Sequence, residues 1–359
     1  MHAQVKRRLG LAALGTIAAT TLAARPVPPM PKPAPQPRTL NAVEANARCE
    51  SCHVAIADEW KRSMHHASHT DPVYQRAFSI EPMPFCQGCH APEADARTPV
   101  PQALGSLGIG CVTCHLTADD VLAVPRADPK TATNIHPIIR DARFAGPDAC
   151  ASCHEFSFPD SGRRTTPELM QSTVQEHRHS SNHQQSCADC HMPLVTTKGE
   201  TSAHRNHVFS ASRDPAMVRR AVTIDALRPN ATSIRLTLTP TWSGHSFPTG
   251  DLFRRIEVHA DALGVDFQAV ASETRYLMRH FAEKKHGLGV VRFVEKDDRP
   301  LDSKIVVDLD LGPKAARLPI AYRIAYQRVE HPRSERPEDS VVEGEIVLSQ
   351  GTLKPLDKP

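Results

Sequence analysis

The chain has 359 residues, with 31 Pro, 10 Cys, 20 His and only 5% aromatic residues. That length suits two domains, but so few aromatic side chains are a thin basis for a large core, and so many prolines exclude long regular elements throughout. The formal charge is +3; without residues 1–24 the count falls to 40 basic against 40 acidic, which excludes the strongly basic balance of a nucleic-acid-binding protein.

Residues 1–24 read as a signal peptide for export. Lys6, Arg7 and Arg8 form a basic start, Leu9 to Ala24 is an uncharged, largely apolar run, and the small Ala23 and Ala24 suit cleavage. The run has 16 residues, short of the roughly 20 that a membrane span needs. No Cys lies near the cleavage point and no other stretch is apolar enough to cross a bilayer, so the mature chain is expected without stable membrane insertion, in the bacterial periplasm. Residues 25–41 form a Pro-rich linker with Pro26, Pro28, Pro29, Pro31, Pro33, Pro35 and Pro37, which favours an extended spacer.

All ten cysteines fall in pairs separated by two residues: Cys49 and Cys52, Cys86 and Cys89, Cys111 and Cys114, Cys150 and Cys153, Cys187 and Cys190. A histidine follows each pair at once: His53, His90, His115, His154 and His191. Chance would supply five such histidines about once in a million sequences or less. Two thiols at this spacing can each bond one vinyl group of a single haem, and the adjacent imidazole then lies under the iron. Zinc sites use two C-x-x-C pairs per metal and need no histidine after each. Five tight pairs also make a poor disulfide framework for joining distant segments. Five covalently attached haems c are therefore expected, in a mainly helical, irregular domain over residues 42–217. Haem would replace aromatic side chains as core material, and such a domain should not fold without it.

Iron with one imidazole keeps an open sixth position, whereas iron with two is closed and suits electron transfer. Most of the remaining histidines lie near the five motifs. His65 and His66 follow the first, on an expected helix from Ala55 to Ala67, with His69 just beyond it. His136 lies between the third and fourth, His177, His179 and His183 precede the fifth, and His204 and His207 follow it.

Several segments resemble the multihaem cytochromes c related to the nitrifiers' tetrahaem cytochrome and to hydroxylamine oxidoreductase. The matching segments are Cys49-x-x-Cys52-His53 followed by Trp60-x-x-Ser63-x-His65, Arg143-Phe144 leading into Cys150-x-x-Cys153-His154-Glu155-Phe156, Met170-Gln171-x-Thr173, and Cys190-His191-Met192-Pro193. His207-Val208-Phe209 and the run Gly244 to Gly250 around His245 also look like family segments, so the resemblance covers most of residues 42–260. It implies His65, His136 and His207 as distal ligands. His179 and His245 complete the expected set, the latter from outside the haem motifs. The chain departs from the family pattern at His177, where Trp is frequent, and in carrying His66 and His69 beside the expected ligand.

From residue 218 the cysteines stop and a β-sandwich-like domain is expected to residue 350, before a tail at 351–359. Period-two alternation marks strands at Ala221 to Ala226, Ser233 to Leu238, Arg255 to Ala260, Val290 to Val294, Lys304 to Leu309, Ala321 to Tyr326 and Val341 to Leu348. Leu277 to Lys285 reads as a helix or long loop. The domain carries no nucleophile elbow, P-loop or dinucleotide fingerprint. The fold class is thus α+β. The expected function is electron transfer between redox proteins, such as other cytochromes or quinol-linked donors. The alternative is an oxidoreductase acting on a small nitrogen or sulfur compound at one open haem.

Overall fold

The computed structural model describes residues 40–117, 120–125, 136–159, 164–165, 168–196, 203–241, 244–287, 289–331 and 336–356. The export signal and nearly all of the Pro-rich linker lie outside these. No helix among the described residues is long and apolar enough to cross a membrane.

Among the described residues, ten short helices lie between residues 42 and 220: α1 (Ala42–Cys52), α2 (Val54–Lys61), α3 (Pro72–Ile80), α4 (Pro84–His90), α5 (Gln102–Leu107), α6 (Cys111–His115), α7 (Pro147–His154), α8 (Thr173–His179), α9 (Cys187–His191) and α10 (Pro215–Arg220). Local chemistry explains the starts. Asn41 caps α1 by accepting from the Glu44 N–H, and Asp71 caps α3 in the same way through Tyr74. Ser186 and Asp189 form a capping box on α9, and Pro residues occupy the first turn of α3, α4, α7 and α10. The helix expected from Ala55 to Ala67 is shorter: α2 ends at Lys61 and His65 sits on the turns beyond it. In this half a small apolar cluster forms around Ala45, Trp60, Leu107 and Val112.

The chain then becomes β-rich: β1 (Val222–Leu227), β2 (Ser233–Pro240), β3 (Arg254–Leu263), β4 (Ala269–Leu277), β5 (Arg279–His286), β6 (Gly289–Asp297), β7 (Ile305–Asp310), β8 (Ile320–Val329) and β9 (Val342–Leu353). One sheet has the order β7-β2-β1 and a second the order β4-β3-β8-β9, all pairings antiparallel. The alternating residues Ile234, Leu236 and Leu238 of β2 face Ile256, Val258 and Ala260 of β3 and Ile320 and Ile324 of β8 across one apolar core. Helices and strands together bear out the α+β class.

Two expectations are corrected here. Residues 277–285 are neither helix nor loop. They end β4 and form β5, which pairs antiparallel with β6. Phe281 packs against Phe158, and β6 in turn pairs with the short strand Arg164–Thr165 from the helical half. The last strand also continues to Leu353, into the stretch expected to be tail.

Leu236 is wholly buried, whereas Val306 is 43% exposed. Leu236→Ala should cost about 2–5 kcal/mol through the cavity it leaves, against at most about 0.5 kcal/mol for Val306→Ala. Denaturant unfolding compares them, and equal midpoints would contradict the core as described.

Candidate haem-binding site

Each C-x-x-C-H motif lies at the end of a helix, in α1, α4, α6, α7 and α9. Residues three apart on a helix share a face, so each pair of thiols points the same way, with the histidine one turn beyond the first cysteine. His53 is the C-cap of α1 and its N–H donates to the Cys49 carbonyl at 2.9 Å. All ten cysteines are free thiols. Thiols of different motifs also lie near enough to perturb one another: Cys49 and Cys111, Cys89 and Cys153, and Cys150 and Cys187.

Four of the motif histidines face a second histidine from elsewhere in the chain. Ring centres are 6.4 Å apart for His53 and His136, 6.2 Å for His154 and His65, 6.1 Å for His115 and His207, and 6.1 Å for His191 and His245. With metal–nitrogen bonds of about 2.0–2.1 Å, two imidazoles on opposite sides of one metal have centres about 6.3 Å apart. The observed spacing is that of a pair with room for one metal ion between.

The ring nitrogens are arranged to match. His115 Nδ1 donates to the Leu122 carbonyl (2.9 Å), His191 to Ser210 (2.8 Å), His207 to Arg205 (2.6 Å) and His245 to Ser246 (3.0 Å). A carbonyl only accepts, so Nδ1 carries the proton and Nε2 is left with a free lone pair, the tautomer a metal ligand needs. Burial, with the neighbouring His154, pushes the His65 pKa down to about 3; burial likewise holds His154 and His207 at about 4. These rings are neutral at physiological pH, as ligation requires.

The second motif differs. His90 Nδ1 donates to the Ser68 carbonyl at 2.6 Å, and the Ser68 hydroxyl donates back to the His90 carbonyl at 2.9 Å. Its ring stacks on Tyr74 at 3.7 Å and 6°, and among the described residues no histidine ring stands opposite it at the spacing of the other four. His179, expected as a ligand, is exposed, with Nδ1 donating to the Gln175 carbonyl (2.8 Å), and is not brought to any motif histidine. His66 packs on Trp60, and His204 bonds Glu59 at 3.1 Å.

Sequence reasoning passed over several contributors. Phe209, with φ of 53°, sets its ring 4.2 Å from His65 and 5.6 Å from His207, between two of the pairs. Glu59 is buried and accepts from both His204 and the His207 N–H. An acidic residue at a helix end gives no local sign of such a role. The positive φ of Phe209 carries no sequence signal either, since glycine or asparagine is the usual marker.

Residues 48–116 match the family model described as cytochrome c554 and c-prime. Among solved structures, the penta-heme cytochrome c552 from Thermochromatium tepidum has a similar fold, with a TM-score of 0.63 and 16% identity over 86% of this chain and 97% of that one. A comparison with curated proteins finds no match. The family match spans the first three motifs and the structural match shows a shared fold. The paired imidazoles and same-face thiols fit haem c at these motifs.

Gly108 (φ 58°) sits beneath His65 and His66, where a Cβ would collide with both backbone carbonyls, while the Ile109 N–H donates to the His65 carbonyl at 2.9 Å. Gly108→Ala should therefore destabilise the fold by about 1–3 kcal/mol. Chemical denaturation measures it, and a variant as stable as the parent would show that His65 is not held from this side.

Proposed function

We propose that this chain belongs to a multihaem cytochrome c family and carries electrons between redox partners through five covalently attached haems c. The observation that carries this reading is the set of four imidazole pairs, each joining a motif histidine to one from a distant segment with room for one metal between. Cys49 and Cys52, Cys86 and Cys89, Cys111 and Cys114, Cys150 and Cys153, and Cys187 and Cys190 would hold the haems, with His53, His90, His115, His154 and His191 as proximal ligands. His136 would close the first iron, His207 the third, His65 the fourth and His245 the fifth. Bound haem supplies reversible one-electron iron chemistry.

The protein's own contribution is ligation, orientation and proximity. Two imidazoles leave iron no position for substrate, which suits electron transfer over catalysis. Bonds from Nδ1 to backbone carbonyls fix the rings and raise their basicity as ligands. Thiol contacts between motifs one and three, two and four, and four and five put attachment points side by side, as short electron transfers require. The signal-like N-terminus favours the bacterial periplasm as the place of action. Other cytochromes and quinol-linked donors are the partners such a carrier would serve.

One observation favours a second reading beside the first. His90 has Tyr74 for its ring neighbour, and among the described residues no histidine ring is paired with it. An iron held by His90 would keep its sixth position, and a small nitrogen or sulfur compound could be reduced or oxidised there.

Denatured pyridine-haemochrome assay should count five haems per chain; two or three would break the reading of every motif as an attachment site. Low-temperature EPR of the oxidised protein, with spin quantitation, should give four low-spin irons and one high-spin iron. Five low-spin irons would remove the second reading, and fewer than four would break the proposed ligand pairs.

A further inference from the structure

Helix α8 carries Thr173, Glu176 and His177 at spacings that put all three on one face. That face grips the loop 244–250, from which His245 reaches His191. Thr173 Oγ1 lies 3.0 Å from Thr249 Oγ1, which donates to Glu176 Oε2 at 2.5 Å. Glu176 also accepts from the buried Arg299 at 2.8 Å, and Arg299 donates to the Pro248 carbonyl at 2.8 Å. Burial works against charge on Glu176, but Arg299 and the hydroxyls of Thr249 and Ser172 hold its pKa below the ordinary carboxylate value. The far end of the loop is thereby pinned.

His177 pins the near end. Its Nδ1 donates to the Gly244 carbonyl at 2.8 Å. The approach is close enough that a Cβ on residue 244 would lie 3.1 Å from that nitrogen. The carbonyl belongs to the peptide plane joining Gly244 to His245, so fixing it fixes the direction in which the His245 side chain leaves the backbone. His177 is itself buried, and its Nε2 has no hydrogen-bond partner. An unpaired buried nitrogen carries a desolvation cost. A histidine here is therefore a poor choice for packing alone, and the Nδ1 bond is what the side chain contributes.

We propose that His177 is a positioning residue that holds His245 in line with the fifth haem iron, so that the β-rich half of the chain delivers a ligand to the helical half at a fixed angle. This rests on the reading that His245 closes that iron. His245 Nδ1 is bonded to the next carbonyl, that of Ser246, at 3.0 Å, so the ring takes its orientation from the same short piece of backbone.

The test uses the full-length protein with its haems, with His177→Leu, His177→Gln and His245→Ala as variants. Low-temperature EPR and potentiometric titration follow each iron. His177→Leu should shift the g values and midpoint potential of one low-spin haem, or turn it high-spin, with the other four irons unchanged. His177→Gln, whose amide N–H can reach the Gly244 carbonyl, should restore the parent signal. Should His177→Leu not accumulate, His177→Phe carries the same test. Unchanged g values and potentials in the Leu or Phe variant would overturn the positioning role, as would a Gln variant that behaves like them. If His245→Ala keeps all four low-spin irons, the ligand reading itself fails and takes this inference with it. Loss of one low-spin iron in His245→Ala beside a silent His177→Leu would sink the positioning role alone.

Discussion

The facing of His65 and His154, with ring centres 6.2 Å apart, joins residues 89 positions apart in the chain, and His53 with His136, His115 with His207 and His191 with His245 span 83, 92 and 54. Closing a flexible loop of about 90 residues costs about 4 kcal/mol. Fully burying one apolar side chain returns only about 1.5–3 kcal/mol. The helical half, with its small apolar cluster around Trp60 and Leu107, has few such side chains to offer. Metal ligation operates on a larger scale, with apparent values of about 10–16 kcal/mol for structural zinc in small domains. On these magnitudes it is ligand pairing across a metal, with haem as the filling, that would hold this half in shape. Five of the ten described helices, α1, α4, α6, α7 and α9, end in an attachment motif, and none of these needs to be longer than the motif requires.

The β-rich half stands on different physics. Its two sheets share a continuous apolar core built from alternating residues such as Ile234, Leu236, Ile256 and Ile324. It can therefore serve as a rigid frame for a loop whose histidine must reach into the other half. The buried Arg299 and Glu176, with Thr249 and His177 beside them, connect that frame to α8 at both ends of the loop. The β5–β6 hairpin adds a second connection where β6 pairs with Arg164–Thr165.

The features legible in the sequence were the ones with local chemistry. The five cysteine pairs with their histidines needed no tertiary context, and the period-two pattern located seven of the nine strands of the β-rich half to within a few residues at most ends. The two missed strands, β4 and β5, carry Glu273, Arg275, Glu283, Lys284 and Lys285, and charge at that density hides a strand that lies partly in solvent. The pairing of histidines was not legible, because nearness in sequence says nothing about it. His65 follows the first motif by twelve residues but faces the fourth, while His136, between the third and fourth motifs, faces the first. His179 lies close to the fifth motif in sequence and is exposed, whereas His245, far beyond it, faces His191.

Iron is the one atom whose position decides this account. Anomalous diffraction at the iron absorption edge, on crystals of the haem-loaded protein, locates each iron independently of any fold assumption. Five peaks are expected, four of them midway between the rings of His53 and His136, His65 and His154, His115 and His207, and His191 and His245, and the fifth within bonding distance of His90 alone. Peaks displaced from those midpoints would contradict it.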